Sequence, residues 1–440
     1  MEVSKYKDQP EDSGAQTQPD GLPPLCCAAT TPAPASWEMG HRLSNLLHLK
    51  GHFARRGSYF AVAYTMTAVA IGLNLLTPLY GIYRQKFAFS ALTLTLIFAT
   101  YIVTIIPSML IFGPLSDAIG RRRVLIISVL TAAFAALLLL LASSTPWLFA
   151  ARIVQGIAQG AISGAASAAL IELGSDLKKT ALVIGMTVTG GIALGPIISG
   201  LLAQYAPAPL TLCFLVYLVL LIPALLGILL MAESLPPAER RAFHPHRPSL
   251  PTNGKQDFLI STAIAAFGFA ASALFLSVIP SFLVSLLHTS NIALLTAPVG
   301  MFLAAGPLVQ LVLHNLSARR SAVIGLLLET IGLLGTLYTT SIGSLPWLLV
   351  AAVIGGGGAG LAYLGSLSLI NQLIPKEQRG DVFGTYYALN YLSLGVTSIL
   401  VGLLTAPLGL TTAVRGVSAA IVVLCLLTVL AVTRLSRVHF

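Results

Sequence analysis

Twelve apolar runs, each about twenty residues or more, follow one another between Ser58 and about Arg434 and leave this chain little choice of fold. At 1.5 Å of rise per residue, a twenty-residue helix is ~30 Å long, the thickness of a bilayer's hydrocarbon core. In that medium every backbone N–H and C=O must be paired within its own segment, so each run reads as a helix. The segments fall at about 58–83, 91–113, 122–143, 146–172, 180–204, 210–232, 258–286, 291–314, 321–341, 345–374, 382–405 and 412–433. The fold class is therefore an all-α membrane protein with twelve transmembrane helices. Charged residues are 9% of the 440, against ~25% in a typical soluble domain. A soluble enzyme, a disulfide scaffold and a nucleic-acid binder are excluded, despite a formal net charge of +10.

Lysine and arginine set the direction of threading. The connections after segments 2, 4, 6, 8 and 10, with the C-terminal tail, carry fifteen of them, including Arg121, Arg122, Arg123, Arg319 and Arg320. The alternate connections carry only Arg84, Lys86 and Arg415. By the positive-inside rule, the first set and both termini are expected in the cytoplasm of a multi-pass protein of the inner or plasma membrane. Residues 1–57, rich in Pro, Gln, Asp and Ala, are expected to form a disordered cytoplasmic tail that includes Cys26 and Cys27. Residues 58–232 then form one six-helix half, 233–257 a cytoplasmic linker bearing Pro and Arg, 258–433 a second half, and 434–440 a short cytoplasmic tail.

An internal repeat supports that division. Pro146-Trp147-Leu148 opens segment 4, and Pro346-Trp347-Leu348 opens segment 10 two hundred residues later. Gly156, Gly160 and Gly195 align in the same register with Gly356, Gly360 and Gly395. Two parallel halves related by an axis along the membrane normal are one known transporter plan, with the substrate held between them.

The connection between segments 2 and 3 joins Gly113, Asp117, Gly120, Arg121 and Arg122 at fixed spacing. Gly113 permits close helix approach, Gly120 a tight turn, and Asp117 is an acid beside three cations. This stretch resembles the signature loop of the major facilitator superfamily. Segment 4, with Arg152, Gln155, Gly156, Gln159 and Gly160, is similar to that family's Arg-x-x-Gln-Gly motif. Segment 5, with Gly191, Gly195, Pro196 and Gly200, resembles the motif associated with its proton-driven exporters. The resemblance runs from Ser58 to about Arg434 and points to the bacterial twelve-helix drug/proton antiporters within the family. It implies that the loop residues pack against the start of helix 11 and latch the outward-facing state. Ala118 stands where the family often has a basic residue.

Charges inside a bilayer cost ~2.5–3.5 kcal/mol at the helix centre and usually serve a purpose. Arg152 lies six residues past Pro146, ~9 Å inside the outer face. With Gln155 and Gln159 it offers a polar face for the central cavity. Glu329, nine residues past Arg320, lies ~14 Å from the inner face. A carboxyl at that depth suits reversible protonation, yet the resemblance puts helix 9 at the bundle periphery, where a neutral structural Glu fits equally well. Glu172 and Arg415, at helix ends, read as interfacial anchors. Asn74 on segment 1 and Tyr387 and Asn390 on segment 11 are further candidates for substrate contact or coupling.

The resulting expectation is a secondary transporter working by alternating access. It acts most simply in proton-coupled efflux of drug-like or amphipathic compounds, with import or uniport of a sugar, organic acid or other metabolite as the alternative. Its partners are a small-molecule substrate, protons and the lipid bilayer, and it works as a monomer. No cofactor, metal site or catalytic group is expected, because none of the eight histidines forms metal spacing or a nucleophile–base pair inside a helix. The many exporters of this family that carry an acid in helix 1 differ from this chain, whose segment 1 has none.

Overall fold

A computed structural model describes residues 35–434, apart from 237, 239, 241, 244–248, 252–253, 288, 290 and 374–378. All the helices long and apolar enough to cross a membrane number twelve among the described residues, matching the twelve segments. The first crossing is built from α1 (Ala35–Asn74), a 3-10 turn (Thr77–Leu79) and α2 (Tyr80–Phe87). The next five are α3 (Ala91–Ile119), α4 (Arg121–Leu140), α5 (Thr145–Leu173), α6 (Leu177–Tyr205) and α7 (Pro209–Leu230). The seventh is α8 (Lys255–Ser277) followed by α9 (Ile279–Leu287). The last five are α10 (Ile292–Leu313), α11 (Ala318–Ile342), α12 (Leu345–Leu373), α13 (Arg379–Leu408) and α14 (Leu410–Arg434).

The helix that carries the first crossing begins at Ala35, so residues 35–57, expected as disordered tail, are helical. After Pro34 no proline interrupts the chain until Pro78, and Leu43, Leu46 and Leu47 recur at helical spacing. The rest of that tail, with Cys26 and Cys27, lies outside the described residues, as do 435–440.

Segments 1 and 7, expected to be continuous, are both broken. Proline is the cause: it has no N–H to donate, and its ring clashes with the carbonyl four residues back. Pro78 follows the end of α1 at Asn74, and Pro280 follows the end of α8 at Ser277, where Val278 takes φ −124° and ψ −38°. The two breaks stand about two hundred residues apart, in the register of the sequence repeat.

Packing repeats as well. A Cβ on Gly156 would lie 2.5 Å from the Tyr101 carbonyl, and one on Gly356 1.9 Å from the Phe302 carbonyl. One on Gly160 would lie 2.9 Å from the Ile105 carbonyl, and one on Gly360 2.8 Å from that of Gly306. The glycines of α5 thus seat α3 as those of α12 seat α10, so the two helix sets are built alike.

The sets meet along α6–α10 and α3–α13. Gly200 faces Thr296, Gly300 faces Ile197, Gly402 faces Thr95, and Gly384 faces Leu110. The Gln204 side chain accepts a hydrogen bond from the Ile292 N–H at 2.7 Å. Around the break in the first crossing, every residue from Ala68 to Tyr80 is buried. Residues 182–190 of α6, towards the other end of the bundle, are all half-buried.

Candidate functional site

A helix end leaves its last carbonyls without intrahelical donors. The break after Asn74 leaves such carbonyls in a stretch where every residue is buried, and α5 supplies the donors. Arg152 Nη1 donates to the Leu73 carbonyl at 2.6 Å and to Gln155 Oε1 at 3.0 Å. Gln155 Nε2 donates to the Gly72 carbonyl at 3.0 Å. Across the break, Arg152 Nε and Nη2 both donate to the Tyr80 hydroxyl, at 3.0 and 2.6 Å. The guanidinium carbon also lies 5.4 Å from the Tyr80 ring centroid and 5.3 Å from that of Tyr101. Arg152 is fully buried. Its side chain staples both sides of the break to α5.

One turn further along α5 the pattern changes. Both polar atoms of Gln159 are buried without a hydrogen-bond partner, as are Asn74 Oδ1 and Thr77 Oγ1 beside the break. These are the unsatisfied groups of this region, and each costs free energy until something pairs with it. The glycines of the segment 5 motif press α6 against the same stretch. A Cβ on Gly191 would lie 2.7 Å from the Thr67 carbonyl, and one on Gly195 2.5 Å from the Ile71 carbonyl. Pro196 follows within α6, and Gly200 extends the close contact to Thr296 of α10.

The second helix set contributes an aromatic cluster. The Tyr363 and Tyr387 hydroxyls stand 3.5 Å apart, and Tyr386 bonds Ser366 Oγ at 3.0 Å. Phe269 meets the Tyr391 ring edge-on at 5.5 Å and the Tyr363 ring at 6.2 Å. Asn390 donates to the Tyr386 carbonyl at 2.9 Å, and its Oδ1 is unpartnered. Tyr391 packs into the same apolar core as Tyr101, so the cluster joins the Arg152 group where the sets meet.

Glu329 lies elsewhere. It is fully buried on α11, with both carboxyl oxygens unpartnered. Gly358 of α12 passes so close that a Cβ there would lie 2.2 Å from the Glu329 backbone nitrogen. Gly355 meets Gly332 in the same way.

At the Arg121 end, the loop residues form a network inside the first helix set. Arg121 pairs with Asp117, with Glu172 at 3.1 Å and with Ser116 Oγ at 2.6 Å. Glu172, read as an interfacial anchor, also accepts from Ser234 at 2.6 Å. Glu233 accepts from the backbone N–H groups of Arg121 at 2.8 Å and Arg122 at 3.3 Å, capping α4. Gly120, at φ +104°, makes room for that carboxylate. The Arg122 guanidinium binds the Ile228 and Leu229 carbonyls at the end of α7. Gly113 packs beneath Gly164 of α5. The contact of Asp117 is expected with the start of helix 11, around Arg379 to Gly384; the side chains of 379–381 lie outside the described residues, and Gly384 faces Leu110 of α3. Arg415, the other expected anchor, binds Thr340 and Ser341 at the end of α11.

Sequence reasoning missed Tyr80, Tyr101 and Glu233. Only the Pro78-Leu79-Tyr80 order hints at the first; the others depend on contacts between distant segments.

The profile of the Major Facilitator Superfamily matches residues 60–320 and 293–439. The MFS-type transporter YybF of Bacillus subtilis is 29% identical over 153 residues, 34% of this chain and 36% of that protein. The chloramphenicol resistance protein CraA of Acinetobacter baumannii is 30% identical over 141 residues, 31% of this chain and 34% of that protein. The alignments thus span about a third of these bacterial relatives. Among solved structures, the human organic anion transporter MFSD10 superposes with a TM-score of 0.63 at 18% identity, covering 86% of this chain and 99% of that one. A POT family transporter in complex with 5-aminolevulinic acid gives 0.68 at 14% identity, covering 87% and 96%. At these identities the structures speak for the fold alone.

Proposed function

The chain belongs to the major facilitator superfamily, and from that premise we propose that it is a secondary transporter which expels drug-like or amphipathic molecules by alternating access, driven by proton entry. Transport, as opposed to enzymatic conversion, follows from the family. Alternating access is supported by one observation above others: two helix sets built alike, with Gly156 and Gly160 seating α3 as Gly356 and Gly360 seat α10, meet along α6–α10 and α3–α13. Outward direction draws support from the likeness to CraA, named for chloramphenicol resistance.

In this reading the Arg121 end and both termini face the cytoplasm, as the positive-inside bias requires, and the working unit is a monomer in the cell membrane. Gln159, Asn74, Tyr387 and Asn390 contact substrate, while Arg152 and Gln155 hold the break that shapes their site. Asp117, Gly120, Arg121 and Arg122, with Gly113, form a latch that keeps the cytoplasmic ends of α3, α4, α5 and α7 moving as one body. The alternative, import or uniport of a sugar or organic acid, draws on the absence of any carboxylate from the first crossing between Ser58 and Phe87.

Labelled chloramphenicol in everted membrane vesicles tests the reading. Accumulation that requires an imposed pH gradient, and collapses with a protonophore, is the expected result. Equilibration that ignores the gradient overturns proton coupling, and no chloramphenicol flux in either direction overturns the efflux reading and leaves the sugar or organic-acid alternative.

A further inference from the structure

Among the described residues, two side chains of the Arg, Lys, Asp and Glu type are fully buried without an opposite charge beside them, Arg152 and Glu329. They do not face one another. Glu329 sits under Gly358 on the α11 side of α12. Tyr363, on the same helix, is five residues further on and ~140° around the axis. Arg152 belongs to the region where the two helix sets meet, and its partners are all neutral: the Tyr80 hydroxyl, the Leu73 carbonyl and the Gln155 amide. The other carboxylates with described side chains are Asp117, Glu172, Asp176, Glu233 and Asp257, all at the Arg121 end of the bundle. The interior between the sets therefore carries a positive charge that no carboxylate among the described side chains neutralises.

The groups around that charge add a second constraint. The Tyr101 ring lies against the guanidinium and within electrostatic reach of Tyr391. From Tyr391 the aromatic surface continues through Phe269 to Tyr363 and Tyr387. Ring faces that commonly attract organic cations are here already turned to an arginine at Tyr80 and Tyr101. The unpaired Gln159 amide and the tyrosine hydroxyls supply neutral hydrogen-bond donors.

We propose that this interior binds aromatic molecules bearing no positive charge, aromatic carboxylates foremost, and rejects organic cations. The proposal rests on the transport reading above and names the substrate class of that site. A unit charge at ~10 Å, felt through an effective dielectric of ~20, changes affinity by a factor on the order of ten. The sign is opposite for anion and cation.

Three probes sharing one ring system test it: 2-naphthoate, 2-naphthylmethanol and 2-naphthylmethylammonium, at pH 7. Binding to the full chain in zwitterionic nanodiscs is measured by equilibrium dialysis, with empty nanodiscs subtracted. The expected order is naphthoate tightest, the alcohol next, and the ammonium weaker than the alcohol by about tenfold or more. Ammonium binding equal to that of the alcohol overturns the proposal, and so does the absence of binding by all three. In Tyr387→Glu the order should invert, an effect that misfolding cannot produce; a folded variant that keeps the wild-type order removes the electrostatic account. Wild type alone decides if the variant fails to fold. Intact binding order without flux in vesicles would sink the transport reading and leave this one standing.

Discussion

The Arg152 guanidinium meets the Leu73 carbonyl at 2.6 Å across the break in the first membrane crossing. A charged side chain in a bilayer is expected to serve ligand or proton chemistry; this one first serves the backbone. It ties the last turn of α1 to Tyr80 at the start of α2, so that a helix broken by Pro78 behaves as one rigid element.

Arg152→Ala leaves the Leu73 carbonyl and the Tyr80 hydroxyl without their donors. Each buried group so orphaned costs about 1–3 kcal/mol, and the thermal unfolding midpoint of purified protein should drop accordingly. Arg152→Lys keeps the charge but not the planar fork, so it should fall between Ala and wild type. Gln155→Leu, which frees only the Gly72 carbonyl, should lose less than Arg152→Ala. An Arg152→Ala protein that melts with wild type would dismiss the staple.

The repeat predicts matched damage in the two helix sets. Gly156→Ala drives a methyl into Tyr101 and Thr104, and Gly356→Ala drives one into Phe302. Overpacking of this kind costs about 1–3 kcal/mol, and both variants should unfold at lower temperature. Gly416 has nothing within 4 Å of its Cβ position. Gly416→Ala should therefore be neutral or raise stability by up to ~1 kcal/mol through helix propensity. Equal melting of all three would refute the close helix approach.

Much of this was legible in the sequence. Segment length gave the twelve crossings, and the two-hundred-residue register placed Gly156 and Gly356, whose function depends only on having no side chain. The breaks at Pro78 and Pro280 were readable in principle but were hidden by unbroken apolar runs. The site was legible by residue and not by role. Arg152 and Gln155 stood out as polar groups in lipid, but whether they face substrate or backbone depends on where the Gly72 and Leu73 carbonyls lie. Glu233, 112 residues from Arg121, looked like part of a linker because nothing local reveals that it caps α4.

Asp117 and Glu233 hold opposite sides of the loop at Gly120. Asp117→Asn keeps an oxygen acceptor for Arg121 but removes one of its two negative charges and leaves Glu172 in place. It should slow transport in vesicles by several-fold while expression stays near wild type. Glu233→Gln keeps an oxygen acceptor but loses the carboxylate's charge at the N-terminus of α4; Glu233→Ala loses the cap itself, worth about 0.5–2 kcal/mol. Stability should therefore fall in the order wild type, Gln, Ala. Full transport by Asp117→Asn would strip the loop of its latch role in this chain.

Glu329 offers the sharpest division between structure and coupling. Its two oxygens are buried without partners, and its backbone lies against a stretch of α12 where Gly355 and Gly358 admit no side chain. An unsatisfied buried polar group costs stability, and replacing it with an apolar group of similar size is commonly neutral or stabilising. Glu329→Leu should therefore melt at or above the wild-type temperature. Its position beneath α12, turned away from Tyr363, argues that gradient-driven flux survives in both Glu329→Leu and Glu329→Gln. The two readouts separate the cases. Unchanged flux with equal or higher stability marks a structural residue. Equal stability with flux that no longer responds to the pH gradient marks the carboxyl as the proton carrier, and would move the coupling site out of the interface between the helix sets and into the packed pair α11–α12.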